Sequence, residues 1–535
     1  MIRPARERRN RAAPKPEDEV GSPRLSTGTW VLAATILGTI MAFVDGFVVN
    51  VAIPVLQVDL KANVSDLQWV VDAYALPLGA LTVLGGSLGD RYGRRAVFTT
   101  GVVVFAVSSA ACGLAASAGE LIVARAVQGA GAALLVPGSL SIIGSFFTAG
   151  DRARAIGTWS GLTSIATALG PVVGGWLVEH ISWRAAFFLN VPIAVAVVAI
   201  SIWRVPESRA ARGGGRLDWP GAVTATAGLG ILVYGLIRSS EPSADNTTVL
   251  ASVASGLALL ALFVFVEARA ESPMLPLNLF RSTDFSGANL LTLLLYAALG
   301  GVLFFLPINL IQVQGYSPTA AGAAFLPFIL IMFALGRWSG GLVERYGARR
   351  PLTIGPSVAG AGLGMLAVPD IGGSYWATFF PGMVLLGLGM AITVAPLTTT
   401  VLGAVGSDDV GVASGINNSV ARVAGLLAIA ALGVVVVGTF NTDFHRGVAS
   451  IDLPAGEKRA LESQQSRLAA IVPPAGISGE NQSEVKTIVD EAYVDGYRKA
   501  MLIAAGLAFA AAVSAALLVH DSPRGGGRRP GGPGG

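Results

Sequence analysis

Charge is what this chain most lacks. Only 13% of its 535 residues are Asp, Glu, Lys or Arg, where a soluble domain carries roughly 25%. With 53% hydrophobic residues and a mean hydropathy of +0.64, it cannot clothe a water-facing surface. Cysteine is nearly absent: Cys112 alone excludes an intrachain disulfide and any cysteine metal cluster. Histidine is equally scarce (His180, His445, His520), so no metal site and no cofactor are expected. Lysine is outnumbered by arginine 5 to 32. The formal charge of +4 does not point to nucleic acid, because the arginines fall in short segments between apolar runs, where they orient a chain in a bilayer.

Those runs dominate the sequence. About 20 apolar residues cross ~30 Å of hydrocarbon, and fourteen such runs are expected near 30–54, 69–89, 96–117, 120–144, 155–179, 185–204, 219–238, 249–267, 286–309, 319–341, 352–369, 376–400, 411–438 and 499–519. Short loops after even-numbered spans carry most of the arginine, including Arg91, Arg152, Arg204, Arg281 and Arg345. By the positive-inside rule both termini are cytoplasmic, in a multi-pass protein of the inner membrane. Residues 1–29 and 520–535 read as disordered tails, and 440–498 as a long outer loop containing a helix over Ala455–Val472.

One stretch repeats. Gly86-Ser-Leu-Gly-Asp90-Arg91-Tyr92-Gly93-Arg94-Arg95 returns 254 positions later as Gly340-Gly-Leu-Val-Glu344-Arg345-Tyr346-Gly347-Ala-Arg349. The copies follow spans 2 and 10, which predicts an all-α membrane protein of two six-helix halves, 30–204 and 286–519, with two inserted spans and their linker over 205–285. Duplicated halves of this kind rock about a shared cavity. In each loop the acid pairs with arginine or a helix N-terminus and acts as a conformational latch, or the arginines merely hold the loop inside.

The spans carry few polar residues, and each asks for a reason. Asp45 lies ~22 Å along span 1; a carboxylate there is costly and faces a polar interior, as a proton-coupling group or a structural acid bonded to Asn50. Arg125, at similar depth in span 4 near Gln128, is its natural counter-charge or a residue snorkelling outward. Arg422 lies near mid-membrane beside Asn417 and Asn418, and is expected to bond carbonyls or line the cavity. Arg337 reads as snorkelling and Asp72 as a solvated face. In span 5, Gly161, Gly170, Pro171, Gly174 and Gly175 make a smooth, bent helix suited to a pivoting interface or to ordinary tight packing. Phe43, Phe47, Tyr74 and Trp159 in the first half, with Asn289, Tyr296, Phe304 and Asn309 in the second, complete the expected substrate cavity.

On these residues the chain resembles the major facilitator superfamily, specifically its fourteen-span drug/proton antiporters. Gly86–Arg95 is similar to the superfamily loop after the second helix, and Arg125–Gly131 to its proton-transfer motif. Gly161, Gly170-Pro171 and Gly174-Gly175 are similar to the antiporter motif, and Asp45, Asn50 and Pro54 to the span-1 motif of drug exporters. Trp183-Arg184, Phe187 and Asn190-Val-Pro192 match the stretch opening span 6. The chain departs at Gly46-Phe47, where a hydroxyl residue and valine are common, and at Glu344, where aspartate is usual. The resemblance implies a monomeric transporter, not an enzyme, that exports small amphipathic drugs or secondary metabolites against inward proton flow. A solute-importing symporter, a sensor and a membrane enzyme are the alternatives; the span-5 pattern argues against the first, and neither His-Glu-x-x-His nor paired intramembrane aspartates support the last.

Overall fold

The computed structural model describes residues 23–209, 217–241, 244–406, 409–474 and 476–521. The Gly213–Gly215 linker and most of both expected tails lie outside the described residues. The remainder is helical, with no β-strand among the described residues.

Each apolar run overlaps one long helix: α1 (Pro23–Asp59), α2 (Val64–Tyr92), α3 (Arg94–Leu114), α4 (Ala118–Phe146), α5 (Ala149–His180), α6 (Trp183–Arg204) and α7 (Trp219–Arg238). There follow α8 (Asn246–Glu267), α9 (Thr283–Val313), α10 (Pro318–Gly340), α11 (Arg349–Leu366), α12 (Phe380–Gly403), α13 (Val410–Ser450) and α14 (Gly479–Leu518). Twelve are long and apolar enough to cross a membrane; α5 and α11 are not among those twelve. Helix starts follow capping chemistry. Asn63 and Asp66 form a reciprocal capping box at α2, while Asp218 and Asp245 cap α7 and α8.

The two halves are wired alike. In the first, α2 and α3 pack on α4, α1 on α5 and α6, and α3 on α6; in the second, α10 and α11 pack on α12, α9 on α13 and α14, and α11 on α14. Close approach needs glycine at the tightest crossings: a Cβ on Gly129 of α4 would collide with the Tyr74 carbonyl of α2. Between halves, α2 meets α13 and α10 meets α5, two equivalent seams. In the hairpin α7–α8, α7 lies against α2 and α13 and α8 packs on α7, so the hairpin covers one seam only.

Among the described residues, four hydrogen bonds join the halves at the face opposite the chain termini. Gln57 donates to the Arg467 carbonyl (2.8 Å), Gln312 to Gln57 (2.8 Å), Gln68 to the Ile429 carbonyl (2.9 Å), and the Thr319 amide to Glu179 (2.9 Å). At 41 and 40 residues, α13 and α14 project beyond that face, since ~60 Å of helix is twice the hydrocarbon thickness. Most of the loop expected over 440–498 is therefore helix. The helix expected over Ala455–Val472 is shorter: Ala455–Glu462, then a 3-10 turn, Gln465–Ala470, broken where Leu468 adopts φ +50°. The tail expected to residue 29 is likewise cut short, since α1 already begins at Pro23.

Candidate functional site

Asp45 is 3% exposed and met from two neighbouring helices. From α4, Arg125 Nη1 donates to Oδ2 in an ion pair and Gln128 Nε2 donates to Oδ1 at 2.9 Å. From α6, Asn190 Nδ2 donates to Oδ1 at 3.1 Å. Arg125 and Gln128 are three residues apart and share a helix face. Arg125 also donates from Nε to the Val70 carbonyl (3.1 Å) and from Nη1 to Gln128 Oε1 (2.8 Å), with its guanidinium 4.2 Å from the Tyr74 ring centre. Around them, Ser109 accepts from Asn190 (3.0 Å), Cys112 donates to Gln128 (3.6 Å), and the Tyr74 hydroxyl donates to the Ala42 carbonyl (2.8 Å).

Both ionised side chains are only 1% exposed. A buried ion pair is held together by mutual need, and cancelling one charge leaves the other unpaired at a cost of ~3–5 kcal/mol. A proton on Asp45 would thus release Arg125 to seek new partners. Arg125 does not snorkel, and Asp45 does not bond Asn50. The pair sits inside the first half, not at the junction with the second, and Tyr74 and Gln128 belong to it and not to an open cavity.

The other predicted residues divide. Arg422 faces Phe43 (5.9 Å to the ring centre) across the junction. It has no hydrogen bond or ion pair among the described residues, so the expected carbonyl bonding is not found. Phe47 and Asn50 line a small space with Pro171, Leu303 and Phe325, and the side-chain amide oxygen Oδ1 of Asn50 is buried without a partner. Trp159 donates to Thr39 (3.2 Å), and Asn417 bridges Asn289 (3.1 Å) and Thr292 (2.7 Å). Tyr296 packs half-buried on the core of the second half. Phe304 is fully buried edge-on to Phe305, and Asn309 is buried against Gln314, so neither reaches an open space.

Asp72 overturns its expectation of a solvated face. It is 0% exposed, and neither carboxylate oxygen has a hydrogen-bond partner. Hydropathy missed it because Gln68 and Gly79, one and two turns away on the same side of α2, both pack on α13 and close the seam over it. An unsatisfied buried polar group costs about 1–3 kcal/mol. Asp72→Leu is accordingly expected to raise the melting temperature of the purified protein; a fall by several degrees would mean that Asp72 has a stabilising partner.

The glycines of α5 serve two partners. A Cβ on Gly170 or Gly174 would press on Phe47 or Val48 of α1 (3.3 and 2.9 Å). Across the seam, a Cβ on Gly175 would collide with the Pro318 carbonyl, and one on Gly322 of α10 with the Pro171 carbonyl. Gly161 faces open space.

The repeated loops are built alike by an acid that sequence reading did not assign. Asp90 pairs with Arg94 (2.8 Å), while a Cβ on Gly86 would merely touch Pro137, and Arg91 lies exposed over Tyr92. It is Glu207, just beyond α6, that accepts from the Arg95 and Ala96 amides (3.0 and 3.1 Å), fitted against Gly93 at φ +120°. In the second half Asp521, just beyond α14, accepts from the Arg349 amide (3.1 Å) beside Gly347 at φ +79°. Glu344 and Arg345 are exposed and form no ion pair among the described residues. Both contacts lie within one half. Capping of this kind contributes about 1 kcal/mol, so Glu207→Ala is expected to speed amide exchange at Arg95 and Ala96 several-fold; unchanged exchange would remove the cap from the account. Ser109 and Glu207 carry no sequence signal of their own, being ordinary polar residues until the chain folds, while Asn190 is legible only as part of the stretch opening span 6.

The Major Facilitator Superfamily profile matches residues 35–429. A tetracenomycin C resistance and export protein from Streptomyces glaucescens is 34% identical over 90% of both chains. The multidrug resistance protein Stp of Mycobacterium tuberculosis (strain CDC 1551 / Oshkosh) is 33% identical over 88% of both. Among solved structures, a bacterial homologue of the human lysosomal transporter Spinster superposes with a TM-score of 0.65 at 17% identity, covering 93% of this chain and 98% of the other. A sealed ion pair in one of two like-wired helical halves, together with these matches, places the chain in the Major Facilitator Superfamily of multi-pass membrane transporters.

Proposed function

We propose that this protein is a proton-coupled antiporter of fourteen spans, exporting small amphipathic drugs or secondary metabolites by alternating access. The moving units are the halves 30–204 and 286–519, working as a monomer in the cell membrane. The termini face is cytoplasmic, in keeping with the arginines on its loops, so the bonded seams lie outside and the described state is closed to the exterior. The observation that carries the reading is the Asp45–Arg125 ion pair, buried from water in the first half. The names of the relatives, a tetracenomycin C resistance and export protein and a multidrug resistance protein, support export.

In this scheme an outside-open state admits a proton to Asp45. The neutral acid frees Arg125, and the halves exchange partners at the α2–α13 and α5–α10 seams. Cargo and proton compete through that rearrangement, so each proton entering accompanies cargo leaving. One charge crossing 100 mV supplies about 2.3 kcal/mol, enough for an about 50-fold gradient. Resistance profiling in a host stripped of its own pumps identifies a cargo. Energised inverted vesicles then test the coupling: adding that cargo is expected to release lumenal protons, and proton movement in the same direction as cargo would make the protein a symporter.

A further inference from the structure

A cavity of about 390 Å³ lies behind the α2–α13 seam, near the termini face, walled by α2, α7, α8, α9 and α13. The hairpin α7–α8 creates it: the equivalent α5–α10 seam has no such cover. Gly79 lines the cavity, and a Cβ added there would meet Arg422 Cβ at 3.4 Å, so one small residue stands between it and the Arg422–Phe43 space. Its floor is an ordered segment, since Met274 and Leu275 point into it and their amides are held by Asp218 (3.4 Å) and Glu267 (2.9 Å).

No charged side chain lines the cavity among the described residues. Three of its lining groups are polar, and two are already engaged: Ser286 bonds the Phe280 carbonyl (2.7 Å), and Asn289 bonds the Phe285 carbonyl and Asn417. The third, the Ser419 hydroxyl, is buried with no partner. Apolar clefts and cavities of a few hundred Å³ with few polar groups are the usual form of a small-molecule site.

We infer that this chamber binds a neutral lipophilic molecule whose single polar group hydrogen-bonds Ser419, gathered from the membrane beside the α2–α13 seam. The inference deepens the export reading by naming a class of cargo and a job for α7–α8, and it rests on that reading only for calling the ligand cargo. Anions and multiply charged molecules are excluded by the uncharged wall. A phospholipid acyl chain would satisfy the apolar wall but not the hydroxyl.

The test uses full-length protein in phosphatidylcholine nanodiscs and a neutral photoprobe, 4-(trifluoromethyldiazirinyl)benzyl alcohol, with labelled positions mapped by mass spectrometry. Labelling is expected to saturate and to concentrate on α7, α9 and α13 around Ala225, Leu290 and Val420. Ala225→Phe, which fills the chamber, should weaken it by about ten-fold. The minimal change Ser419→Ala should weaken it by about three-fold or more, and guards against a folding defect in the larger variant. Labelling that rises linearly without saturating, or that ignores both variants, would overturn the site. So would equal labelling of these positions by a diazirine-acyl phosphatidylcholine, because the occupant would then be bulk lipid. The protein is never energised in this experiment, so a failure of proton coupling leaves the result unaffected.

Discussion

Asp45→Asn is expected to abolish proton-driven accumulation while leaving cargo exchange intact. Asparagine keeps an oxygen to accept from Gln128 and Asn190, so the local hydrogen bonds survive. What it cannot do is change charge. Arg125 then faces a permanently neutral partner, and the switch between paired and unpaired states is lost. The gradient sustained by 100 mV should fall from about 50-fold to none, measured as cargo accumulation in inverted vesicles. Leaving the Arg125 charge unpaired also costs about 3–5 kcal/mol, so a folding failure must be told apart from a coupling failure. Counterflow of cargo in proteoliposomes without a proton gradient separates them, because it needs a folded pathway but no net proton movement. Persistent accumulation by Asp45→Asn would remove the ion pair from the coupling step, whatever else the protein exports.

Gly175→Val is expected to hold the protein open at the face away from the termini. The added Cβ would collide with the Pro318 carbonyl of α10, a backbone atom that cannot rotate aside. Overpacking of this kind costs about 2 kcal/mol, which shifts the ratio of closed to open states about 30-fold. Turnover should fall by a similar factor. A cysteine introduced at Asn50, beside the closed seam, should label faster with a membrane-impermeant maleimide in the valine background; Cys112 is buried and adds little signal. Gly161→Val, on the same helix but facing open space, is the control and should leave turnover near normal. Equal effects at both positions would mean that valine simply spoils helix α5.

These two positions also show how unevenly the sequence discloses the site. Asp45 and Arg125 are legible because an ionised side chain in an apolar run demands a partner, and the rarity of charge left few candidates. Gly175 is legible only as a smooth surface; that its neighbour is Pro318, in the other half, follows from packing. Asp72 was misread because depth along a helix is countable from sequence while the facing of a side chain is not. Phe304 and Asn309 were misplaced for the same reason, turned toward their own core. Glu207 and Asp521 sit far along the chain from the loops they cap, where spacing carries no information.

By itself the sequence determined that this is a duplicated, helical membrane protein of transporter type, because hydropathy and a repeated ten-residue loop are local properties that survive without coordinates. The tertiary structure alone decided that the ion pair is sealed within one half, that the halves join at the face away from the termini, and that α7–α8 wall a pocket beside one seam. Those are contacts between helices distant in sequence, and in a bilayer, where nearly every helix face is apolar, hydrophobic pattern cannot say which face meets which.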